Sequence, residues 1–549
     1  MITRRLSLPL AMLATGVALL AAAFAHPARS TSHATEARTG GTLRMSRHVD
    51  VDFVDPALAY YADSWTLLYA TCAKLFNHPD KPGAAGARVV PEVVRAFTVS
   101  KDQRTYRFDL RRTFRFHTGA QVTAQSFVDA FNRTADPRMK SPAVFYMHEI
   151  AGVDAVVGGR AKTISGVRAL GRYRLQIRLT MPVGDLTARL TMPFFCPITP
   201  DTPVDPRGVD DPAGSGPYYV AQRIVNRRIV LKRNAYYRGS RPANVDEIVW
   251  TIGRSQADCL LAVEQDQVDV CGNFGIPETA YRRLADTYGV NRPDGQFFVN
   301  TRLDVWYFAF NHDRPAFAGP GQIPLKKAIN YALDRRALGD TFGYLGGTPD
   351  DQLLPPVLGR DATIYPLKGD AIAARKWLAR AKLRPAKLIL YAFTDRPGNI
   401  PAAQVLVSSL KRIGIDVQVK YFEQLTHLRK TGTRGAPFDI AMGAWSVDYA
   451  DPASFFGVLL NGDNLRPTGN YNFAYYDDPR VNAKIRKAGS LRGSARRKAW
   501  ADLDVDLMRN DPPWAPYFHT TRAEFVSRSY GCFVYHPIEG VDLAAACKK

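Results

Sequence analysis

Residues 387–445 contain, in order, KLILYAF (387–393), PAAQVLVSSLKRIG (401–414), IDVQVKYF (415–422), LTHLRKTG (425–432) and FDIAMGAW (438–445). The first, third and fifth segments are short apolar runs of strand length. The two between them carry apolar residues at helical spacing, and Gly414 closes the first of these. Strand alternating with helix predicts βαβ units and a parallel sheet, the pattern of an α/β fold. In open sheets of this kind ligands bind in the crevice beyond the carboxyl ends of the strands. Residues 446–449 follow directly on FDIAMGAW, so the pattern places AWSVDYADP (444–452) at the rim of a cleft.

Two carboxylates stand in that stretch and separate on local grounds. Asp451 precedes Pro452 and the run ASFFGVLL (453–460), which stops before Asn461-Gly462. This is an N-cap, a proline at the first helical position and a glycine past the end, so Asp451 is read as structural. Asp448 has no such role. A carboxylate in an apolar, aromatic loop needs a partner, because an unpaired buried charge is costly. Either an arginine of the chain or a cation carried by a ligand would serve.

Working outward, MITRRLSLPLAMLATGVALLAAAFA (1–25) has Arg4 and Arg5, an uncharged run over residues 6–25, and an A-x-A pattern at Ala23-Phe24-Ala25. This predicts a secretory signal cleaved near Ala25, followed by an unstructured leader at 26–39. The run is short for an uncleaved membrane anchor. The first cysteine is Cys72, so no lipid attachment at a new N-terminus is expected, and the mature protein is expected to be soluble outside the cytoplasm. The remaining chain is too long for one core and long enough for two or three lobes. Six cysteines (72, 196, 259, 271, 532 and 547) in an exported chain are compatible with disulfides. The expected pairs are Cys259 with Cys271 and Cys532 with Cys547.

The net charge of +22 raises nucleic-acid binding, but the lysines and arginines are dispersed in ones and twos with acids between them. Export also removes that partner. A solvated basic surface facing anionic envelope material is the reading adopted.

Earlier in the chain, GGTLRMSRHV (40–49) reads as a strand, Asp55-Pro56 as a turn and residues 64–76 as a helix. Tyr106, Phe108 and Leu110 alternate with polar residues, the mark of a half-buried strand. Thr123 is placed to cap AQSFVDAFNR (124–133). YRLQIRLT (173–180), RRIVLKRNAYY (227–237) and NVDEIVWTIG (244–253) read as strands, with a glycine turn at GSGPYYV (214–220). IPLKKAINYALDRRALG (323–339) reads as one amphipathic helix.

Catalytic signatures are missing. Ser215 lacks the first glycine of GxSxG, and there is no HExxH, Walker loop, GxGxxG or CxxC. The histidines are scattered, which argues against a metal site. A glycosidase-like pair of Asp448 and Asp451 conflicts with the capping position of Asp451. No enzymatic activity, cofactor or metal is expected.

Several segments together resemble the bacterial extracellular solute-binding proteins of family 5, the oligopeptide- and dipeptide-binding components of ABC importers. The segment at 89–133, VVPEVVRAFTVSKDQRTYRFDLRRTFRFHTGAQVTAQSFVDAFNR, carries the resemblance most specifically. GSGPYYV, RNAYYRGSRPANVDEIVWTI (233–252), WYFAFNHDRPAF (306–317), PLKKAINYALDRRAL (324–338) and FDIAMGAWSVDYADP (438–452) follow in the family's order. The resemblance implies a two-lobed periplasmic-binding-protein fold (type II, cluster C) with an extra subdomain inserted in the first lobe. Lobe I would comprise 40–74, 198–302 and 512–549, the insertion 75–197, and lobe II 303–511.

It further implies that Asp448 pairs with a peptide's α-amino group beside Trp445, and that backbone groups of Ala444 and Ser446 pair with the extended peptide. Tyr60 and Tyr61, Tyr146 in the insertion, and Phe518 and His519 near the C-terminus are the further ligand-facing candidates. Met442 stands where related proteins can have an arginine for a ligand carboxylate, which leaves carboxyl-end recognition open. The implied partners are a peptide and the permease subunits of the inner membrane, with the protein itself a monomer. The same fold with an oligosaccharide, opine, nickel chelate or haem as ligand is the alternative. An exported hydrolase or a receptor-facing sensor stands further off.

Overall fold

A computed structural model describes residues 39–272, 275–359 and 362–549; the expected signal and nearly all of the expected leader lie outside the described residues. Strand β1 (Thr42–Arg47) is followed by helix α1 (Ala62–Thr71). The helix stops short of the expected residue 76, because Cys72 turns extended (φ −122°, ψ 130°) and is bonded to Cys196.

Four strands then form an antiparallel sheet: β2 (Val94–Val99), β3 (Thr105–Leu110), β4 (Val167–Ala169) and β5 (Arg174–Arg178), in the order β2-β3-β5-β4. Tyr106, Phe108 and Leu110 point into its core as their alternation requires. Helix α2 (Ala124–Ala135) packs against this sheet. Thr123 caps it as expected: its side chain accepts from Ser126 N, and Ser126 Oγ accepts from Thr123 N, so both termini of the capping box are satisfied.

The chain then returns to β1. Strands β6 (Tyr218–Ile224), β7 (Arg228–Arg233), β8 (Glu247–Ile252) and β9 (Val270–Cys271) give a five-stranded sheet in the order β9-β1-β8-β7-β6. β1 is parallel to β8 and β9, while β6, β7 and β8 form an antiparallel meander. Helix α3 (Gln256–Glu264) joins β8 to β9, and Cys259–Cys271 crosslinks helix to strand, as expected.

A second large sheet comprises β10 (Phe297–Thr301), β11 (Asp304–Phe310), β12 (Gly347–Pro349), β13 (Lys387–Phe393), β14 (Asp416–Phe422), β15 (Ile440–Ser446) and β16 (Trp514–Phe525). Its order is β10-β16-β11-β15-β13-β14, with β12 on β16. β13 is parallel to β14 and β15, which bears out the βαβ reading. The whole sheet is mixed rather than parallel, since β11 runs antiparallel to both β15 and β16. All seven residues of β11 are buried. Trp306, Phe308 and Phe310 feed one core and Val305, Tyr307 and Ala309 the other, the two-residue period of a strand covered on both faces.

The expected helix at 323–339 is two: α4 (Ile323–Ala332) and α5 (Arg335–Asp340). Leu333 is extended, and Asp334 accepts from Ala337 N at 3.0 Å to cap the second. An aspartate in mid-pattern competes for backbone donors, and here it starts a new helix. Helices α6 (Asn399–Lys411) and α7 (Gln424–Thr431) are the expected crossovers. Beyond β16, Val526 bridges to Val270 of the first sheet and Lys548 pairs with Asp269 at 2.8 Å, so the C-terminus returns to the first sheet. Cys532–Cys547 clips this tail, again as expected. Among the described residues no helix is long and apolar enough to cross a membrane.

Candidate functional site

The chain leaves β15 at Ser446 and carries Asp448 into a nearly closed position, 9% exposed. Tyr60 Oη donates to Asp448 Oδ1 at 3.2 Å and lies 3.0 Å from Tyr146 Oη. Tyr60 is itself held: its backbone N–H donates to Asp52 at 2.8 Å, and its ring packs on Trp65 and Phe194. Tyr146 ends a short 3-10 helix and stacks on the same Phe194. Asp448 Oδ2 is buried without a hydrogen-bond partner, and no cation of the described residues pairs with the carboxylate. Burial therefore pushes the Asp448 carboxyl up to about 7, against the pull of the Tyr146 and Tyr60 hydroxyls.

Trp445 lies one strand turn earlier. Its indole N–H donates to Ser454 O at 3.0 Å, and its ring meets Tyr471 edge-on at 5.1 Å. Tyr60, Tyr146, Trp445, Phe145 and Tyr471 line a cavity of about 220 Å³, with Arg466 on its wall.

Asp451 has a different environment. It accepts from Ala453 N at 2.9 Å and grips Arg496 through two bonds of 2.8 and 2.7 Å. Pro452, rather than Asp451, occupies the N-cap of helix α8 (Ala453–Leu459). The structural role read from the sequence holds, with Arg496 as the partner the sequence did not indicate.

A second cavity, about 150 Å³, opens along β15 itself and is lined by Met442, Gly443, Ala444 and Ser446. β15 pairs with β11 along its whole length, but with β13 only through Ile440 and Ala441. Over residues 442–446, no strand among the described residues pairs with the edge facing away from β11. Arg302 and Arg396 also line this cavity. Arg302 Nη2 donates to Ser446 Oγ at 3.2 Å. Arg396 lies over the Trp306 ring at 5.2 Å and has no ion pair among the described residues. Desolvation and, next, the neighbouring Arg302 lower it to about 10, so it remains charged at neutral pH.

Of the residues singled out from the sequence, Asp448, Tyr60 and Tyr146 form one hydrogen-bonded group, and Trp445 shares their cavity; Ala444 and Ser446 line the neighbouring one. Tyr61 is 58% exposed and lines neither cavity. Phe518 and His519 are not brought to the site. Both lie inside β16, between β11 and β12, where side chains become core. Phe518 stacks on Phe342 at 4.4 Å, and His519 Nε2 meets Asp350 at 2.8 Å.

Arg302, Arg396, Arg466 and Tyr471 were not singled out. Arg396 carried the one usable signal, since it follows the carboxyl end of β13 as Asp448 follows that of β15. Among the described residues there is no group of three or more histidine, cysteine, aspartate or glutamate side chains able to hold a metal ion.

The chain was compared with known proteins. Residues 88–466 match the family described as bacterial extracellular solute-binding proteins, family 5 Middle. The periplasmic oligopeptide-binding protein OppA of Escherichia coli strain K12 is 25% identical over 449 residues, 78% of each chain. The periplasmic murein peptide-binding protein MppA of the same strain is 24% identical over 526 residues, 90% of this chain and 92% of its own. Among solved structures, clavulanic acid biosynthesis oligopeptide binding protein 2 superposes with a TM-score of 0.84 at 25% identity, covering 93% of this chain and 96% of its own. With a match spanning well over half of its length, this chain belongs to the bacterial extracellular solute-binding proteins of family 5.

Proposed function

We propose that this protein captures peptides in the periplasm and delivers them to the membrane permease of an ABC importer, without catalysing a reaction on them. One observation carries the reading: a buried carboxylate with no cation among the described residues, Asp448, lies just past a strand whose edge has no partner strand among the described residues over 442–446. A peptide's ammonium supplies the missing cation, in a setting where a charged hydrogen bond is stronger than in water. Its backbone lies along the open edge of β15 as an added strand, giving affinity independent of side chains. Arg396 and Arg302, rather than a residue at position 442, are the groups suited to a ligand carboxylate, whether terminal or on a side chain. The names of OppA and MppA, both peptide-binding, favour the same reading.

The lobes are assigned as 40–74, 198–302 and 512–549 for the first, 303–511 for the second, and 75–197 for the insertion. The three sheets follow these divisions apart from β10 and the long β16, which carries the chain back from one lobe to the other. The protein acts as a monomer, and closure of its lobes on the ligand favours the form that the permease recognises.

The test is native mass spectrometry of protein purified from the periplasm without refolding, with release and sequencing of what is bound. A set of short peptides is the expected result. A single non-peptide mass would retain the solute-binding role and refute the peptide assignment.

A further inference from the structure

The four-stranded sheet carries, away from both cavities just described, a groove of about 490 Å³. Its wall is arginine-rich. Arg95 comes from β2, Arg111 and Arg112 from the segment just past β3, Arg172 from the turn before β5, and Arg174 from β5 itself. All five are exposed, and none is ion-paired among the described residues. Three of them meet neutral groups instead. Arg111 Nε donates to Glu92 O at 3.1 Å and Arg172 Nη2 to Gln121 Oε1 at 3.4 Å. The guanidinium groups of Arg112 and Arg172 both lie over the ring of Tyr173, at 5.5 and 5.8 Å. Asp109 is the one acid in the wall.

Three exposed arginines elsewhere show the contrast. Arg138, Arg207 and Arg480, as exposed as these, each hold an aspartate within two residues of themselves in the chain. The groove instead gathers five like charges against one opposing charge on a concave wall, which concentrates the field and favours an anion of more than one charge. Every cation in it is arginine, whose planar fork meets two oxygens of a phosphate at once, whereas a lysine would meet it as a point charge. We propose that this groove binds phosphate groups, independently of the peptide cleft. The phosphate is either that of a soluble oligophosphate or that of an anionic lipid headgroup, and the chemistry of recognition is the same for both.

The test compares two probes on the purified protein: pyrophosphate by isothermal titration, and co-sedimentation with phosphatidylcholine vesicles containing or lacking phosphatidylglycerol. R112Q/R172Q removes two groove charges, and R254Q/R497Q removes two exposed charges elsewhere. R112K/R172K keeps the charge and removes the fork. The expected result is saturable binding of at least one probe that weakens about tenfold or more in R112Q/R172Q, weakens measurably in R112K/R172K, and is unchanged in R254Q/R497Q. Binding of pyrophosphate identifies a soluble phosphate, and binding of phosphatidylglycerol vesicles alone identifies a headgroup. Binding of neither probe, or equal loss in the two charge-removing variants, overturns the proposal. Unfolding midpoints of all variants guard against loss of fold, and the lysine variant remains informative if the glutamine variant fails to fold.

Discussion

At the scale of single residues, Asp448 concentrates the chemistry. Its carboxyl titrates at about 7 in the folded chain against an ordinary value of 3.8. Between those two values the unfolded chain has given up this proton while the folded chain keeps it. Stability from this group is therefore fully present at low pH, falls as pH rises through the window, and is lost above about 7. Asp448→Asn cannot ionise, so denaturant titrations should show it more stable than the parent at pH 8 and equal to it below pH ~4. An ammonium ligand reverses the preference, because it stabilises the ionised carboxylate. Affinity for a free-amine tripeptide should rise as pH climbs through about 7 and decline once the amine itself deprotonates near pH ~8. Calorimetry in buffers of different ionisation enthalpy should record proton release on binding at pH 6. Asp448→Ala should weaken that peptide by about 1.5–3 kcal/mol, roughly ten- to a hundredfold, and leave its N-acetylated form nearly unaffected. Equal losses for the two peptides would take the amine role away from Asp448.

At the scale of elements, the three disulfides do unequal work. Cys259–Cys271 closes a separation of 12 residues and ties α3 to its next strand, whereas Cys72–Cys196 spans 124. Chain-entropy reasoning assigns about 5 kcal/mol to the long loop and about 3 kcal/mol to the short one. C72S/C196S should therefore lower the urea midpoint more than C259S/C271S; the opposite order would mean that the ends of α1 and of the four-stranded sheet's region stay associated when unfolded. The same scale explains β15. It pairs with β11 throughout, and the incomplete pairing with β13 leaves its other edge without a partner strand among the described residues over 442–446.

At the scale of the whole molecule, contacts between distant parts of the chain set how the cleft is held. Tyr449 Oη donates to Asp185 at 2.7 Å, and Arg496 lies 3.8 Å from the same carboxylate, so residues near the four-stranded sheet meet those that follow β15. On the proposed function, release of a bound peptide would part these contacts. Tyr449→Phe should speed dissociation by about five- to tenfold, near 1 kcal/mol, with the association rate little changed. Stopped-flow displacement measures both rates, and an unchanged dissociation rate would place this contact outside the opening step.

The sequence by itself determined the elements whose causes are local. The period of apolar residues marked β13, α6, β14, α7 and β15, and the Thr123 side chain marked the start of α2. The position of Asp448 after a strand's carboxyl end is a local property that points to a cleft rim. Two of the disulfide pairs, one joining a helix to its next strand and one tying down the tail, were expected, though the sequence alone does not choose among the pairings. Causes that act across the chain were decided only by tertiary structure. Arg396 and Arg302 reach one cavity from loops 94 residues apart, and no local pattern links them. Phe518 and His519 are ligand-facing candidates by the resemblance alone, and β16 lies between β11 and β12, where burial claims both side chains. Asp448 and Asp451 are near neighbours with opposite fates, because among the described residues Asp451 alone has an arginine folded against it. Local hydrogen bonds and periodicity are properties of a few consecutive residues. Burial and charge pairing belong to the space between segments, and that space exists only once the chain has folded.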